Sequence, residues 1–129
     1  MIFGIGIDVV ENARIADAID RLGDRFISKV FQNAEVEYCS SMRDPAPHYA
    51  ARFAAKEAVS KAFGTGFAQF GWKDIEVRRK ASGEPFIVLH DGAANLAKRL
   101  GVGPILISLS HSDQYSVANA ILLSKADAT

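Results

Sequence analysis

The chain opens on a strict alternation. From Ile2 to Val10, Phe3, Ile5, Ile7 and Val9 share one face of an extended strand, and Gly4, Gly6 and Asp8 share the other. The period then changes. Ile15, Ile19 and Leu22 recur at helical spacing, which predicts a helix from Asn12 to about Leu22, stopped by Gly23. Short helices are expected from Asp24 to Phe31 and from Ala34 to Ser41. Asp44-Pro45-Ala46-Pro47 reads as a loop, because each proline disfavours helix for the residue before it. His48 to Phe63 is alanine-rich and forms the strongest helical signal, ended by Gly64-Thr65-Gly66.

The second half has another character. Asp74 to Lys80 and Pro85 to His90 read as strands around a Ser82-Gly83 turn. Asp91 to Leu100 reads as a helix opened by Asp91 and closed by Gly101. Ile105 to Ser110 and Tyr115 to Leu123 form a hairpin about His111-Ser112-Asp113-Gln114. Paired strands with grouped helices predict an α+β fold: one domain, a mainly antiparallel sheet, and the long Ala-rich helix packed on it. The domain is expected to occupy residues 1–124, with 125–129 a frayed tail.

At 129 residues the chain suits one domain and not two, and 49% hydrophobic with 23% charged residues argues against disorder. Fifteen basic and fifteen acidic residues cancel, which disfavours nucleic acid or an anionic membrane as partner. No apolar run approaches the ~20 residues of a membrane span. Cys39 is the only cysteine, so no internal disulfide can form and a cytoplasmic location is expected.

Several residues carry candidate chemistry. The glycine face of the first strand lets something approach the backbone closely and ends on Asp8. Asp8 reads either as a metal or phosphate-site ligand or, with Glu11, as a capping box opening the next helix. Glu57 and Lys61 are four residues apart, the spacing of an ordinary surface pair, yet alanines and Phe53 surround them and point to a cleft. Arg52 and Lys56 lie on another side, so one solvated face cannot hold all four charges. Gly64-Thr65-Gly66 is either a phosphate-binding loop or a plain helix cap. Arg14 and Arg21 share a helix face, diluted by Asp17 and Asp20, and with Arg25 and Phe26 suggest a docking patch for an acidic protein.

Other chemistries find no support. Gly66 and Gly71 have P-loop spacing, but Trp72 stands where the lysine belongs. Gly4 and Gly6 lack the third glycine of a dinucleotide fingerprint. Ser110-His111-Ser112-Asp113 has no nucleophile elbow elsewhere in the chain. His48, His90 and Cys39 lack zinc-ligand spacing.

Gly4-Ile-Gly-Ile-Asp8-Val-Val-Glu11, followed by Arg52-Phe-Ala-Ala-Lys56-Glu57-Ala-Val-Ser-Lys61-Ala-Phe-Gly64-Thr-Gly66, resembles the holo-[acyl-carrier-protein] synthase family of 4′-phosphopantetheinyl transferases. The likeness extends through Ser82-Gly83-Glu84-Pro85 and Ser108-Leu-Ser110-His111 over nearly the whole chain. The resemblance implies transfer of phosphopantetheine from coenzyme A to a serine of apo acyl carrier protein, releasing adenosine 3′,5′-bisphosphate. It also implies a homotrimer with coenzyme A bound between subunits. By it, Asp8 and Glu57 match magnesium ligands, and Glu57 is also the first candidate base. Lys61 matches the lysine at the reacting phosphates. Gly64, Thr65, Gly66, Ser82, Gly83, Pro85 and His111 match positions lining the nucleotide, and Arg14, Arg21 and Phe26 fall where the carrier protein docks. The rival readings are a metal-dependent phosphoester hydrolase using the same carboxylates and a non-catalytic coenzyme A-binding module.

Overall fold

A computed structural model describes residues 1–125; the expected tail, apart from Lys125, lies outside the described residues. The elements run β1 (Ile2–Glu11), α1 (Asn12–Leu22), α2 (Asp24–Val30), α3 (Asn33–Ser40), α4 (Pro45–Phe63), β2 (Ile75–Arg79), β3 (Pro85–Leu89), α5 (Asp91–Leu100), β4 (Val102–His111) and β5 (Tyr115–Ser124). All strand pairs are antiparallel, in a three-stranded sheet ordered β1-β5-β4 and a separate β2-β3 hairpin. The α+β expectation therefore holds, with two sheets rather than one.

Two local expectations need correction. Helix α4 begins at Pro45, not His48, so the proline segment is helix. The first turn of a helix makes no use of its own N–H groups, and prolines there remove nothing the helix needs. Helix α5 takes His90 as its N-cap, and Asp91 is its first residue.

The core forms where α4 lies on the three-stranded sheet, and β1 presents its glycine face to the helix. A Cβ built on Gly4 would sit 2.0 Å from the carbonyl oxygen of Ala62, and one on Gly6 would sit 1.9 Å from that of Ala58. The close approach anticipated along Gly4 and Gly6 is thus made by the protein's own helix. Ala50, Ala54, Ala55 and Ala58 are fully buried, small enough for backbones to meet. The apolar alternation of β1 faces the other way, leaving Ile5, Ile7 and Val9 each more than half exposed.

Two devices hold the irregular parts. Phe67 stacks on Trp72 with centroids 4.0 Å apart, and Trp72 stacks on Phe53 of α4 at 4.7 Å, anchoring the segment between α4 and β2. Buried Asn12 donates from Nδ2 to the carbonyls of Ser112 (2.9 Å) and Asp113 (3.2 Å) and accepts from Ser116 Oγ at 2.7 Å. It ties the β4–β5 turn, and with it His111, to the β1–α1 junction.

Candidate active site

Asp8 sits inside β1 opposite Ala118, three residues before the strand ends. Helix α1 has Glu11 at its N-cap with no side-chain capping bond, so the Asp8–Glu11 capping box is not formed. The Asp8 carboxylate instead points across the glycine channel to α4, where Lys61 Nζ donates to its Oδ1 at 3.0 Å and to the carbonyl of Ile7 at 3.1 Å. Lys61 thus leaves its helical neighbour Glu57 and bridges to the strand. Glu57 lies half-buried one turn earlier. Burial, and then the charge of Asp8, push its carboxyl above the usual range, while Lys61 and Arg14 pull the other way. Two acids 49 positions apart in sequence therefore share one electrostatic site.

This is a donor set that fits magnesium. That ion takes one or two protein carboxylates and fills its remaining positions with substrate phosphate and water. Among the described residues no cluster of three or more His, Cys, Asp or Glu side chains could hold a metal alone. The pair Asp8–Glu57 leaves those further positions to a substrate.

Gly64 ends α4 in the left-handed region, φ 84°, its N–H donating to Lys61 at 2.9 Å. The plain helix cap is formed, and it places Gly64-Thr65-Gly66 directly beyond Lys61. The Thr65 hydroxyl is spent locally on the Gly66 carbonyl at 3.0 Å.

The other nucleotide candidates lie elsewhere. His111 ends β4, its ring 5.6 Å from that of His48 on α4. Both line a cavity of about 530 Å³ with Arg43, Asp44, Pro47 and Asp113. Burial first, then the charges of His111, Arg52 and Arg79, hold the His48 imidazole below its ordinary value. Ser82, Gly83 and Pro85 occupy the β2–β3 turn, Gly83 beside the Arg79 guanidinium. His48 and Glu57 are nine helical positions apart, about 13 Å along the axis. The carboxylates with Lys61 and the cavity at His111 therefore adjoin different parts of α4.

Arg14 is exposed yet near enough to act on Glu57. Arg21 pairs with Asp17 at 2.8 Å on the solvated face of α1. Phe26 is half-buried, its ring 6.1 Å from Phe31 and 6.2 Å from Phe53, so part of its apolar surface belongs to the core.

One further candidate residue lay outside the sites read from the sequence. Arg52 is only 2% exposed, its guanidinium lies 4.2 Å over the Tyr38 ring, and its buried Nε has no hydrogen-bond partner. It lines a 250 Å³ recess with Tyr38, Arg78 and Arg79. A buried cation with an idle donor, in a recess carrying two further guanidiniums, is built to receive an anion. Its sequence signal was the placement of Arg52 off the solvated face of an alanine-rich helix.

Comparison with known proteins identifies the family of the chain. Residues 4–120 match the model of the 4′-phosphopantetheinyl transferase superfamily, and the chain belongs to that family. Among its relatives is the holo-[acyl-carrier-protein] synthase of Koribacter versatilis, 48% identical over 123 residues, spanning 95% of this chain and 98% of that one. The fold matches the crystal structure of the Neisseria meningitidis holo-[acyl-carrier-protein] synthase with a TM-score of 0.89 at 27% identity, covering 96% of this chain and 100% of that one. It also matches the Bacillus anthracis holo-(acyl-carrier-protein) synthase in complex with CoA (3′,5′-ADP), with a TM-score of 0.80 at 32% identity, covering 98% and 99%.

Proposed function

We infer that this chain is a holo-[acyl-carrier-protein] synthase. It moves 4′-phosphopantetheine from coenzyme A to a serine hydroxyl of apo acyl carrier protein and releases adenosine 3′,5′-bisphosphate. The observation that carries the assignment of roles is the convergence of Asp8, Glu57 and Lys61 across the β1–α4 seam.

Asp8 and Glu57 would hold magnesium, which, when bound, neutralises charge on the pyrophosphate of coenzyme A. Serine is a weak nucleophile at neutral pH, and a carboxylate raised by burial is better matched to take its proton. Glu57, directly or through a water, is that base. The serine oxygen bonds to the phosphorus that bears pantetheine, and the bond to the bridging oxygen of the bisphosphate breaks. Lys61, half-exposed and already beside Asp8, neutralises the departing phosphate. Gly64-Thr65-Gly66 continues the phosphate path beyond it.

The adenosine bisphosphate end belongs with His111, the Arg52 recess and the Ser82-Gly83-Pro85 turn. The His111 end meets α4 at His48, about 13 Å along the axis from Glu57. Neighbouring copies complete the cleft, which supports the homotrimer: Ile5, Ile7, Val9 and Leu106 present an exposed apolar sheet face of the kind that marks an interface. Arg14, Arg21 and the exposed part of Phe26 form the docking side for the acidic carrier. The solitary thiol of Cys39, buried and pushed up to about 11, suits a cytoplasmic protein.

The test is mass spectrometry of apo acyl carrier protein incubated with the enzyme, coenzyme A and magnesium. The expected gain is about 340 Da, the covalent phosphopantetheine arm. Release of adenosine 3′,5′-bisphosphate without any acceptor, and no gain in carrier mass, would refute transfer in favour of hydrolysis.

A further inference from the structure

The mechanism above leaves unused the most deeply buried charges in the molecule. Lys56 and Glu35 are both wholly inaccessible, and Lys56 Nζ meets Glu35 Oε1 at 2.8 Å. The ammonium also donates to the carbonyls of Ile75 and, at 3.3 Å, Trp72. Glu35 accepts in turn from the backbone N–H of Gln32 on Oε1 (2.9 Å) and of Val77 on Oε2 (3.1 Å). Burial favours the neutral lysine, and the charge and hydrogen bond of Glu35 oppose it.

The backbone partners reveal what the pair does. Ile75 pairs with Leu89 and Val77 with Ile87 on the β3 side of the hairpin. The carbonyl of Ile75 and the N–H of Val77 both point to the opposite edge of β2, where no strand follows. Lys56 fills the acceptor and Glu35 the donor, so one ion pair stands in for a neighbouring strand. A two-stranded ribbon is marginal by itself. This one is gripped at its root by α3 and α4 and carries the Ser82-Gly83-Pro85 turn at its tip. Five or six residues separate root from tip, about 17 Å, so a tilt of about 5° at the root moves the turn by about 1.5 Å. A displacement of about 1 Å is enough to spoil a substrate contact.

We propose that the buried Glu35–Lys56 pair is a positioning device for coenzyme A: it aims the β2–β3 turn at the nucleotide and takes no part in the transfer itself. This rests on the reading that the turn contacts coenzyme A. A buried pair is weak evidence for stability, since apolar residues of similar volume often serve as well. Its value here is directional.

The experiment measures KM for coenzyme A and kcat with saturating carrier protein in Glu35→Gln, Gly83→Ala and Val102→Ala, each with its melting temperature. Glu35→Gln keeps the volume and one carbonyl for Lys56 but turns an amide toward the Val77 N–H. Gly83→Ala strains the turn directly at φ +91°. Val102→Ala, in the core at the start of β4, reports what loss of stability alone does. The expected result is at least a fivefold rise in KM for Glu35→Gln with kcat within twofold, and no such rise for Val102→Ala. An unchanged KM in Glu35→Gln beside a raised one in Gly83→Ala overturns the positioning role and leaves the turn's contact standing. No rise in either variant overturns the turn's contact and the proposal with it. A change in Glu35→Gln no different in kind from Val102→Ala reduces the pair to stability alone and overturns the proposal. Should Glu35→Gln fail to fold, the Glu35→Met/Lys56→Met pair, which removes both charges together, is read against the same outcomes.

Discussion

Gly6→Ala tests whether the seam between β1 and α4 makes the active site. The added Cβ would lie 1.9 Å from the Ala58 carbonyl oxygen, where ordinary contact begins near 3.4 Å, so strand or helix must yield about 1.5 Å. Both neighbours are backbone, and no side chain can swing aside. Overpacking of this kind costs typically about 1–3 kcal/mol. At about 4 °C per kcal/mol for a domain of this size, the melting temperature should fall by roughly 4–12 °C. Asp8 lies two residues along the same face of the same strand. Moving β1 off the helix by that amount would stretch the 3.0 Å contact between Lys61 and Asp8 beyond bonding reach and part Asp8 from Glu57. Misplacement of about 1 Å costs on the order of 100-fold in rate. Transfer to apo carrier protein is to be assayed well below the new melting temperature, where the variant is folded, across a magnesium titration. A folded Gly6→Ala variant with wild-type kcat/KM and wild-type magnesium dependence would refute the reasoning, because the site would then not depend on the seam.

Other outcomes follow from the same geometry. Asp8→Ala and Glu57→Ala should each fold and lose about 10²–10³ in kcat, the usual effect of removing one preorganised charge, read by mass shift of the carrier. Arg52→Leu deletes the buried Nε that lacks a partner, so melting should change little while KM for coenzyme A rises about tenfold; an unchanged KM would remove the recess from the site. Burial alone would raise the Glu76 carboxyl, but hydrogen bonds from Arg78 and His90, with their charges, outweigh it and hold the group below its ordinary value. The folded carboxyl then binds protons less readily than the unfolded one. Its stabilisation is complete above about pH 5 and disappears as pH falls through the folded value. Denaturant melts should therefore show wild type more stable than Glu76→Gln at pH 7, with the gap closing toward pH 3; a gap constant with pH would contradict the sign.

The residue pattern alone determined the α+β class, both hairpins, the helix ended by Gly64 and the small-residue surface of that helix. These follow from periodicity, alanine content and turn chemistry, which act over a few residues. The residues of the site, Asp8, Glu57 and Lys61, were legible as types at suggestive spacings. Periodicity assigns residues to two faces of a strand without saying which one is covered. Only the fold decided that Gly4 and Gly6 meet α4 while Ile5, Ile7 and Val9 face outward, because that depends on which surface lies above the sheet. Spacing along a helix likewise offered Glu57 to Lys61, and a strand 53 residues away in sequence claimed Lys61 instead. The enclosure of Glu35, Arg52 and Lys56 was decided the same way: whether a charge is solvated or buried is a property of neighbours that the chain brings together only when it closes.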